Sequence, residues 1–177
     1  MFFYVTGVKS AQEADWAIQN GANAIGVQLG YRQSALQAEN CRTWLETLPF
    51  YIMKAGIFEK ESYYDVEELA SFCHLDIIHL RDTAAIDDFS RYSGRLLAET
   101  TNLDVDVAAQ KAHGCLLRAA SVAEAKEALL RKTEKPLLLS GDFSVQDWQS
   151  ILAFHAPVGI AVDIAFAEAI AKLITCR

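Results

Sequence analysis

Ten polar side chains stand where the chain leaves short apolar segments, which is where α/β proteins carry their binding and catalytic groups. A carboxylate or an imidazole in such a place can transfer protons, and a guanidinium group can bind a carboxylate or a phosphate. If the segments before them are strands of one barrel, these side chains ring its mouth. They are Thr6, Gln28, Lys60, His79, Arg81, Glu99, Arg118, Ser140, Asp142 and Asp163.

Glu99 and Arg118 form the most informative pair, because adjacent strand ends could bring them into a salt bridge. Two interpretations are open. Arg118 could bind a ligand carboxylate or phosphate while Glu99 holds it, or the pair could fill a mouth that has lost its substrate. His79 is either an acid–base group or a hydrogen-bonded wall residue. Asp163 is either a ligand-binding residue or a residue that orders a loop through a hydrogen bond.

One stretch, KPLLLSGDFS at Lys135–Ser144, contains a complete strand, turn and helix start. Leu137–Leu139 are all apolar, as in a strand covered on both faces. Gly141 allows a tight exit. Ser144 followed by Asp147 predicts a helix N-cap with an acidic capping box. The same unit recurs along the chain, so this stretch indicates an α/β protein.

Eight strand–helix units can be traced in 177 residues, and their alternation predicts a parallel sheet closed into a compact (β/α)8 TIM barrel. We expect a single domain over residues 1–177. An open doubly wound sheet is the alternative, because the fourth to sixth units give the weakest patterns. The strands are predicted at Phe2–Val5, Ala24–Val27, Phe50–Phe58, Leu75–Leu80, Leu96–Ala98, Leu116–Leu117, Leu137–Leu139 and Val158–Val162.

Composition narrows the function classes. The net charge of −7 argues against nonspecific binding to nucleic acid or to an anionic membrane, since both need a basic face. No apolar run approaches the ~20 residues of a membrane span, and the first residues lack a signal-peptide pattern. The four cysteines are far apart, which predicts ordinary thiols and no metal site: Cys41, Cys73, Cys115 and Cys176. We therefore expect a cytoplasmic protein without a cofactor.

Several segments resemble the phosphoribosylanthranilate isomerase family, a barrel enzyme of tryptophan biosynthesis, and they occur in that family's order along nearly the whole chain. The matching segments are YVTGV at Tyr4–Val8 (K-I-C-G-I in the family), NGANAIGV at Asn20–Val27 (G-A-D-A-I-G-F), KAGIF at Lys54–Phe58 (V-V-G-V-F), LDIIHLRD at Leu75–Asp82 (L-D-x-V-Q-L-H-G), KPLLLSGDF at Lys135–Phe143 (K-P-x-x-L-A-G-G-L) and VDIAFAE at Val162–Glu168 (V-D-V-S-S-G-V-E).

The resemblance implies an Amadori rearrangement of an aminoaldose phosphate, but its two catalytic positions are changed. The family's base is the cysteine of K-I-C-G, and Thr6 stands there. A threonine hydroxyl does not titrate usefully near neutral pH without a neighbouring base. The family's acid is an aspartate after the sixth strand, and Arg118 stands there. Its pKa above about 12 makes a guanidinium unsuited to that task.

The family's phosphate site is altered as well. Its paired glycines after the seventh strand correspond to Gly141 and Asp142, and its S-S-G turn after the eighth corresponds to Ala165–Ala167 with one residue deleted. Phosphate cradles use bare backbone N–H groups at a loop and a helix N-terminus. A carboxylate at Asp142 repels a phosphate dianion instead. The family's G-G-T-G loop has no counterpart within Ala119–Lys135.

We therefore expect a divergent isomerase-like barrel that binds a small anionic or sugar-phosphate-like metabolite and is inactive in the usual reaction. Two alternatives stay open: a noncatalytic binding or assembly protein, and a retained isomerase with rearranged residues. A monomer or a homodimer is expected. The predicted catalytic positions are Thr6 and Arg118, and the predicted ligand-binding residues are Gly7, His79, Glu99, Ser140, Gly141, Asp142 and Asp163.

Overall fold

Eight parallel strands form a closed barrel in the computed structural model, which describes residues 1–30, 35–84, 86–102, 111–131, 133–155 and 157–175. Each strand pairs with the next along the chain, and the first closes the ring by pairing with the eighth. The strands are β1 Phe2–Thr6, β2 Ala24–Gln28, β3 Met53–Phe58, β4 Ile77–Leu80, β5 Arg95–Thr100, β6 Gly114–Arg118, β7 Leu137–Ser140 and β8 Gly159–Asp163. The predicted (β/α)8 barrel is confirmed.

Helices connect the strands on the outside of the barrel. In the described part of the chain they are α1 Ala11–Gln19, α2 Ala35–Leu45, α3 Tyr63–Phe72, a 3₁₀ helix Ile86–Arg91, α4 Val122–Leu130, α5 Val145–Phe154 and α6 Ile164–Thr175. No helix among the described residues is long and apolar enough to cross a membrane. Most of the helix predicted after the fifth strand, at Leu103–His113, lies outside the described residues.

Serine side chains begin several of these helices, and one capping box is complete. At α5, Ser144 Oγ accepts from the Asp147 N–H while the Asp147 carboxylate accepts from the Ser144 N–H, as predicted. At α1 the sequence predicts a cap at Ser10 with Glu13 in the capping-box position; Ser10 does cap the helix, but Glu13 accepts from the Lys9 N–H and not from the Ser10 N–H. The longer glutamate side chain reaches one residue further back than the aspartate does.

Each strand differs from its predicted bounds by one to three residues at one end or both, and the start of the third strand differs most. β3 begins at Met53, because Phe50 and Tyr51 lie in the turn before it and are 100% and 64% exposed. Their apolar character had extended the predicted strand. Gly114 opens β6 and does not close the preceding helix. Both differences lie at the N-terminal end of the barrel, away from the ends that carry the polar residues.

The interior of the barrel is filled by alternate strand residues, and small residues on some strands make room for a large one. Tyr4 on β1 is 1% exposed, and a Cβ added at Gly26 on β2 would lie 2.6 Å from its hydroxyl. The absent side chain at Gly26 therefore accommodates the Tyr4 ring. The layer comprises Tyr4, Ala24, Ala55, Leu97, Leu116, Leu138 and Ala161.

The same alternation places the polar strand ends. Successive strand residues point to opposite faces, so a residue two positions after an interior one also points inward. Glu99 follows the interior Leu97 by two residues, and Arg118 follows Leu116 in the same way. The apolar layer thus forms a floor beneath the polar mouth.

The cysteines described are buried: Cys41, Cys73 and Cys115. Burial raises the pKa of Cys73 to about 11 and also raises that of Cys41. Both thiols therefore stay protonated near neutral pH, in line with ordinary structural thiols. The fourth, Cys176, lies outside the described residues.

Candidate functional site

A cavity of about 500 Å³ opens at the C-terminal ends of the strands. This is the end of the barrel where enzymes of this fold carry their active sites. Arg81 lines the cavity, whereas Gln28 and Lys60 do not. Eight of the predicted site residues lie together in its wall: Thr6, His79, Glu99, Arg118, Ser140, Gly141, Asp142 and Asp163.

Glu99 lies at the centre of a charged network and is 13% exposed. Its carboxylate is 3.2 Å from His79 Nε2, 3.6 Å from Arg81 Nε and 4.0 Å from Arg118 Nη1. Burial alone would raise the pKa of Glu99, but contact with His79 and the charges of both arginines lower it further than burial raises it. Glu99 is therefore an ionised carboxylate near neutral pH and a weak base.

His79 connects Glu99 to the barrel interior. Its ring is 1% exposed, and burial lowers its pKa, so the neutral form is favoured. The Tyr4 hydroxyl lies 3.2 Å from His79 Nδ1, and which of the two donates depends on the tautomer of the ring. Glu99 lies 3.2 Å from His79 Nε2, but this buried nitrogen has no hydrogen-bond partner among the described residues. His79 therefore serves as a wall residue of the site.

Arg118 is held mainly by Asp142. Its Nη2 lies 2.9 Å from Asp142 Oδ2, and this hydrogen bond raises the pKa of Arg118. The predicted salt bridge to Glu99 exists only at 4.0 Å, so Asp142 and not Glu99 is the closer partner. Arg118 is 48% exposed and Asp142 is 90% exposed, so their ion pair lies in solvent.

Thr6 and Gly7 form the corner after β1. The Thr6 hydroxyl donates to the Val162 carbonyl at 3.3 Å, which is the behaviour of a small packed hydroxyl. Gly7 has a φ of +75°, a conformation that favours glycine, and a Cβ there would collide with the Asp163 carboxylate. Gly7 does not line the cavity. Glycine is required at this position because of the positive φ and because the Asp163 carboxylate leaves no room for a Cβ.

The helix N-termini beside the mouth carry carboxylates of their own. At α5, Asp147 occupies the capping box with Ser144. At α6, the Ala165 N–H donates to Asp163 Oδ1 at 3.0 Å. Asp163 therefore forms a hydrogen bond that orders the loop, which is one of the two roles considered for it above. A phosphate cradle needs free N–H groups and a favourable helix dipole at these ends. Both requirements are weakened by the resident negative charges.

Aromatic side chains cover the same part of the mouth. Phe143 packs edge-on against Trp148, with ring centroids 5.2 Å apart, and a Cβ on Gly141 would overlap the Phe143 ring. Trp148 is 1% exposed, whereas Phe166 is 59% exposed. The position of Trp148 in a helix predicts packing against the barrel, and the sequence does not single out Phe143 or Phe166 as site residues. Their positions two residues after Gly141 and three after Asp163 were the available signal.

Among the described residues, no group of three or more histidine, cysteine, aspartate or glutamate side chains is placed to hold a metal ion.

Sequence comparison identifies relatives along part of their length. No protein-family model matches the chain. The N-(5'-phosphoribosyl)anthranilate isomerase of Desulfitobacterium hafniense (strain Y51) is 32% identical over 77 residues, covering 43% of this chain and 32% of that protein. The enzyme of that name from Syntrophus aciditrophicus is 25% identical over 147 residues, covering 81% of this chain and 59% of that protein. The chain thus matches less than two thirds of either relative's length.

Structure comparison shows the same fold over the whole chain. A phosphoribosylanthranilate isomerase in complex with reduced 1-(o-carboxyphenylamino)-1-deoxyribulose 5-phosphate superposes with a TM-score of 0.81, at 16% identity and with 100% of both chains covered. A monomeric form of the dimeric enzyme from Thermotoga maritima gives a TM-score of 0.75, at 16% identity, covering 99% of this chain and 98% of that one. At these identities the likeness concerns the fold.

Proposed function

Because this chain is a relative of the phosphoribosylanthranilate isomerases, we propose that it is a divergent barrel that binds a small anionic metabolite without catalysing their Amadori rearrangement. The observation that carries the proposal is the pair of arginines, Arg81 and Arg118, that face one carboxylate, Glu99, in a cavity of about 500 Å³. Guanidinium groups beside a cavity bind carboxylates and phosphates through paired hydrogen bonds.

Loss of the usual reaction follows from the groups that occupy the catalytic positions. The Thr6 hydroxyl donates to a backbone carbonyl, and Arg118 carries a guanidinium whose pKa is raised by Asp142. Neither is a proton-transfer group near pH 7. Glu99, the more buried of the two carboxylates near Arg118, has a lowered pKa and is a weak base. These residues support binding better than acid–base chemistry.

Arg118 is suited to exchange partners. Its ion pair with Asp142 joins a half-exposed guanidinium to a fully accessible carboxylate, and such pairs contribute only about 0–1 kcal/mol. A ligand anion that reaches the cavity can therefore replace Asp142 at little cost. Glu99, which is 13% exposed, stays behind the guanidinium and limits its movement. Asp142 thus occupies the position on Arg118 at which a ligand anion would bind.

The charge of the lining favours a ligand with little negative charge. The lining contains two positive groups, Arg81 and Arg118, and three negative ones, Glu99, Asp142 and Asp163. His79 adds no charge while it is neutral. Because a dianion would meet uncompensated carboxylates, a monoanion fits this lining better.

Binding is tested by calorimetric titration of the purified protein with a panel of carboxylates and sugar phosphates. We expect at least one anion to bind, and Arg118→Gln to weaken it about tenfold or more, because a charge-assisted pair is lost. Arg42→Gln is the matched control, since Arg42 pairs with Glu46 on the surface and does not line the cavity. Absence of binding, or equal affinity in the Arg118 variant, would contradict the anion site.

Catalysis is tested separately. Phosphoribosylanthranilate is added to the protein and its fluorescence is followed against a buffer blank and the Arg118→Gln variant. We expect no turnover above background. Turnover that the Arg118 variant lacks would support the retained isomerase with rearranged residues.

Two further expectations stay predictions: a monomer or homodimer, which sedimentation of the purified chain would decide, and a cytoplasmic location, which fractionation would decide. The relative from Thermotoga maritima is described as dimeric.

A further inference from the structure

The side of the mouth that follows β7 and β8 is lined by rings and aliphatic groups. We propose that the ligand is an aromatic monocarboxylate whose carboxylate binds Arg118 and whose ring lies against Phe166 and Phe143. This inference rests on the anion site proposed above and names the class of its ligand. It depends on three features of the mouth: an exposed aromatic surface, the apolar side chains near β8, and the carboxylates at the helix N-termini.

Phe166 provides the exposed aromatic surface. Its side chain is 59% exposed although it lines the cavity, whereas Trp148 beside it is 1% exposed. A ring placed on Phe166 removes apolar surface from water and gains the edge or offset contacts that aromatic pairs prefer. Phe143 is fixed by its edge-on contact with Trp148, so this wall is already ordered before a ligand arrives.

A sugar would be poorly matched to this wall. Beside Asp163, the cavity lining near β8 is formed by Ala161, Val162 and Phe166, whose side chains offer no hydrogen bonds. The Ser140 hydroxyl is directed to the Leu117 carbonyl at 3.4 Å. Sugar hydroxyls placed against the three apolar side chains would lose water without gaining partners, which is unfavourable. A flat hydrocarbon ring has no such requirement.

A phosphate group is disfavoured for an independent reason. The N-termini of α5 and α6 are capped by Asp147 and Asp163, and Asp142 stands at the loop between β7 and α5. These carboxylates repel a dianion. A single carboxylate can instead replace the Asp142 carboxylate on Arg118 with no change in charge. The volume of about 500 Å³ lies within the 300–1,000 Å³ common for small-ligand pockets and accommodates either class.

The test compares three anions by calorimetry: benzoate, acetate and ribose 5-phosphate. We expect benzoate to bind about tenfold or more tightly than acetate, which has the same charge without the ring, and more tightly than ribose 5-phosphate. Phe166→Ala should weaken benzoate about fivefold, since an aromatic contact is removed, and should leave acetate unchanged. Phe50→Ala is the control, because Phe50 is 100% exposed in the turn before β3, at the other end of the barrel.

The outcomes separate this inference from the proposed function. Ribose 5-phosphate bound more tightly than benzoate would overturn the aromatic class and leave the anion site standing. Equal losses in the Phe166 and Phe50 variants, or none in either, would overturn the ring position. Failure of all three anions to bind would overturn both the ligand class and the anion site.

Discussion

The two sides of the barrel mouth are held in place by different forces. On the charged side, which follows β4–β6, Glu99 lies 3.2 Å from the neutral His79 ring and forms ion pairs of 3.6 and 4.0 Å with Arg81 and Arg118. On the aromatic side, which follows β7 and β8, Phe143 packs against Trp148, and Phe166 lines the same cavity. Ion pairs that reach solvent add little stability, whereas a buried ring adds much. We therefore expect the aromatic side to dominate stability and the charged side to dominate ligand charge recognition.

The largest expected effect is on the aromatic side. Trp148→Ala should lower the free energy of unfolding by about 3–5 kcal/mol, because a fully buried ring leaves a cavity among apolar neighbours. Trp148 is 1% exposed and belongs to the cluster that contains Leu139 and Val162. Urea denaturation measures the change. Trp16→Ala is the control, since Trp16 is only partly buried against that cluster and should cost less. A decrease of less than 1 kcal/mol in the free energy of unfolding would contradict the view that the aromatic side dominates stability.

The next effect is on the charged side. Glu99→Gln should lower the free energy of unfolding by about 1–3 kcal/mol, because Arg81 and Arg118 would face each other without the carboxylate between them. The same urea experiment measures it. The control is Glu46→Gln, which removes an exposed carboxylate paired with Arg42 at 2.8 Å and should leave the denaturation curve unchanged. A Glu99 variant as unstable as the Trp148 variant would show that the charged side is structural too.

The charged side should also make stability depend on pH. Burial lowers the pKa of His79 below its ordinary value of 6.5, so the unfolded chain binds this proton first and stability falls as pH drops below about 6.5. Between pH 7 and pH 5.5 we expect a loss of about 1 kcal/mol. The lowered pKa of Glu99 adds a further loss only below its ordinary value of 4.5.

Denaturation at several pH values separates the two groups. His79→Gln should flatten the profile between pH 7 and pH 5.5. Glu99→Gln should keep this part of the profile, because removal of the carboxylate makes a charged His79 still less favourable. The same slope in the His79 variant would assign it to another group.

The sequence predicts that Glu99 and Arg118 lie at the mouth, because the two-residue period of a strand determines which side chains point inward. Glu99 and Arg118 lie two residues after interior leucines, so the alternation that predicts the barrel also directs them to its mouth. Loop geometry is not fixed in this way. Arg118 ends β6, whereas Asp142 lies in the loop after β7. Their contact therefore depends on how that loop turns.

The aromatic side was missed because an apolar residue in a helix is ordinarily interpreted as core. Phe166 in the first turn of α6 is 59% exposed, and nothing in the residue type distinguishes it from the buried Ile170 one turn on. Phe50 and Tyr51 show the same limit at the opposite end of the barrel. Burial depends on contacts between distant parts of the chain, whereas alternation is local.

The smallest stability effect should come with a gain in binding. Asp142→Asn removes a carboxylate that is 90% exposed, so the denaturation curve should not change. Among the described residues, Glu99 at 4.0 Å is then the remaining ion-pair partner of Arg118. Ligand anions no longer have to compete with the Asp142 carboxylate for the guanidinium group. Since such exposed pairs are worth 0.2–1 kcal/mol, the affinity for the best anion should rise about two- to fivefold by calorimetry. Glu168→Gln, which removes the exposed partner of Lys172 on α6, should leave the affinity unchanged. Weaker binding in the Asp142 variant would mean that Asp142 orients Arg118 for the ligand, and the charged side would then extend across the loop after β7.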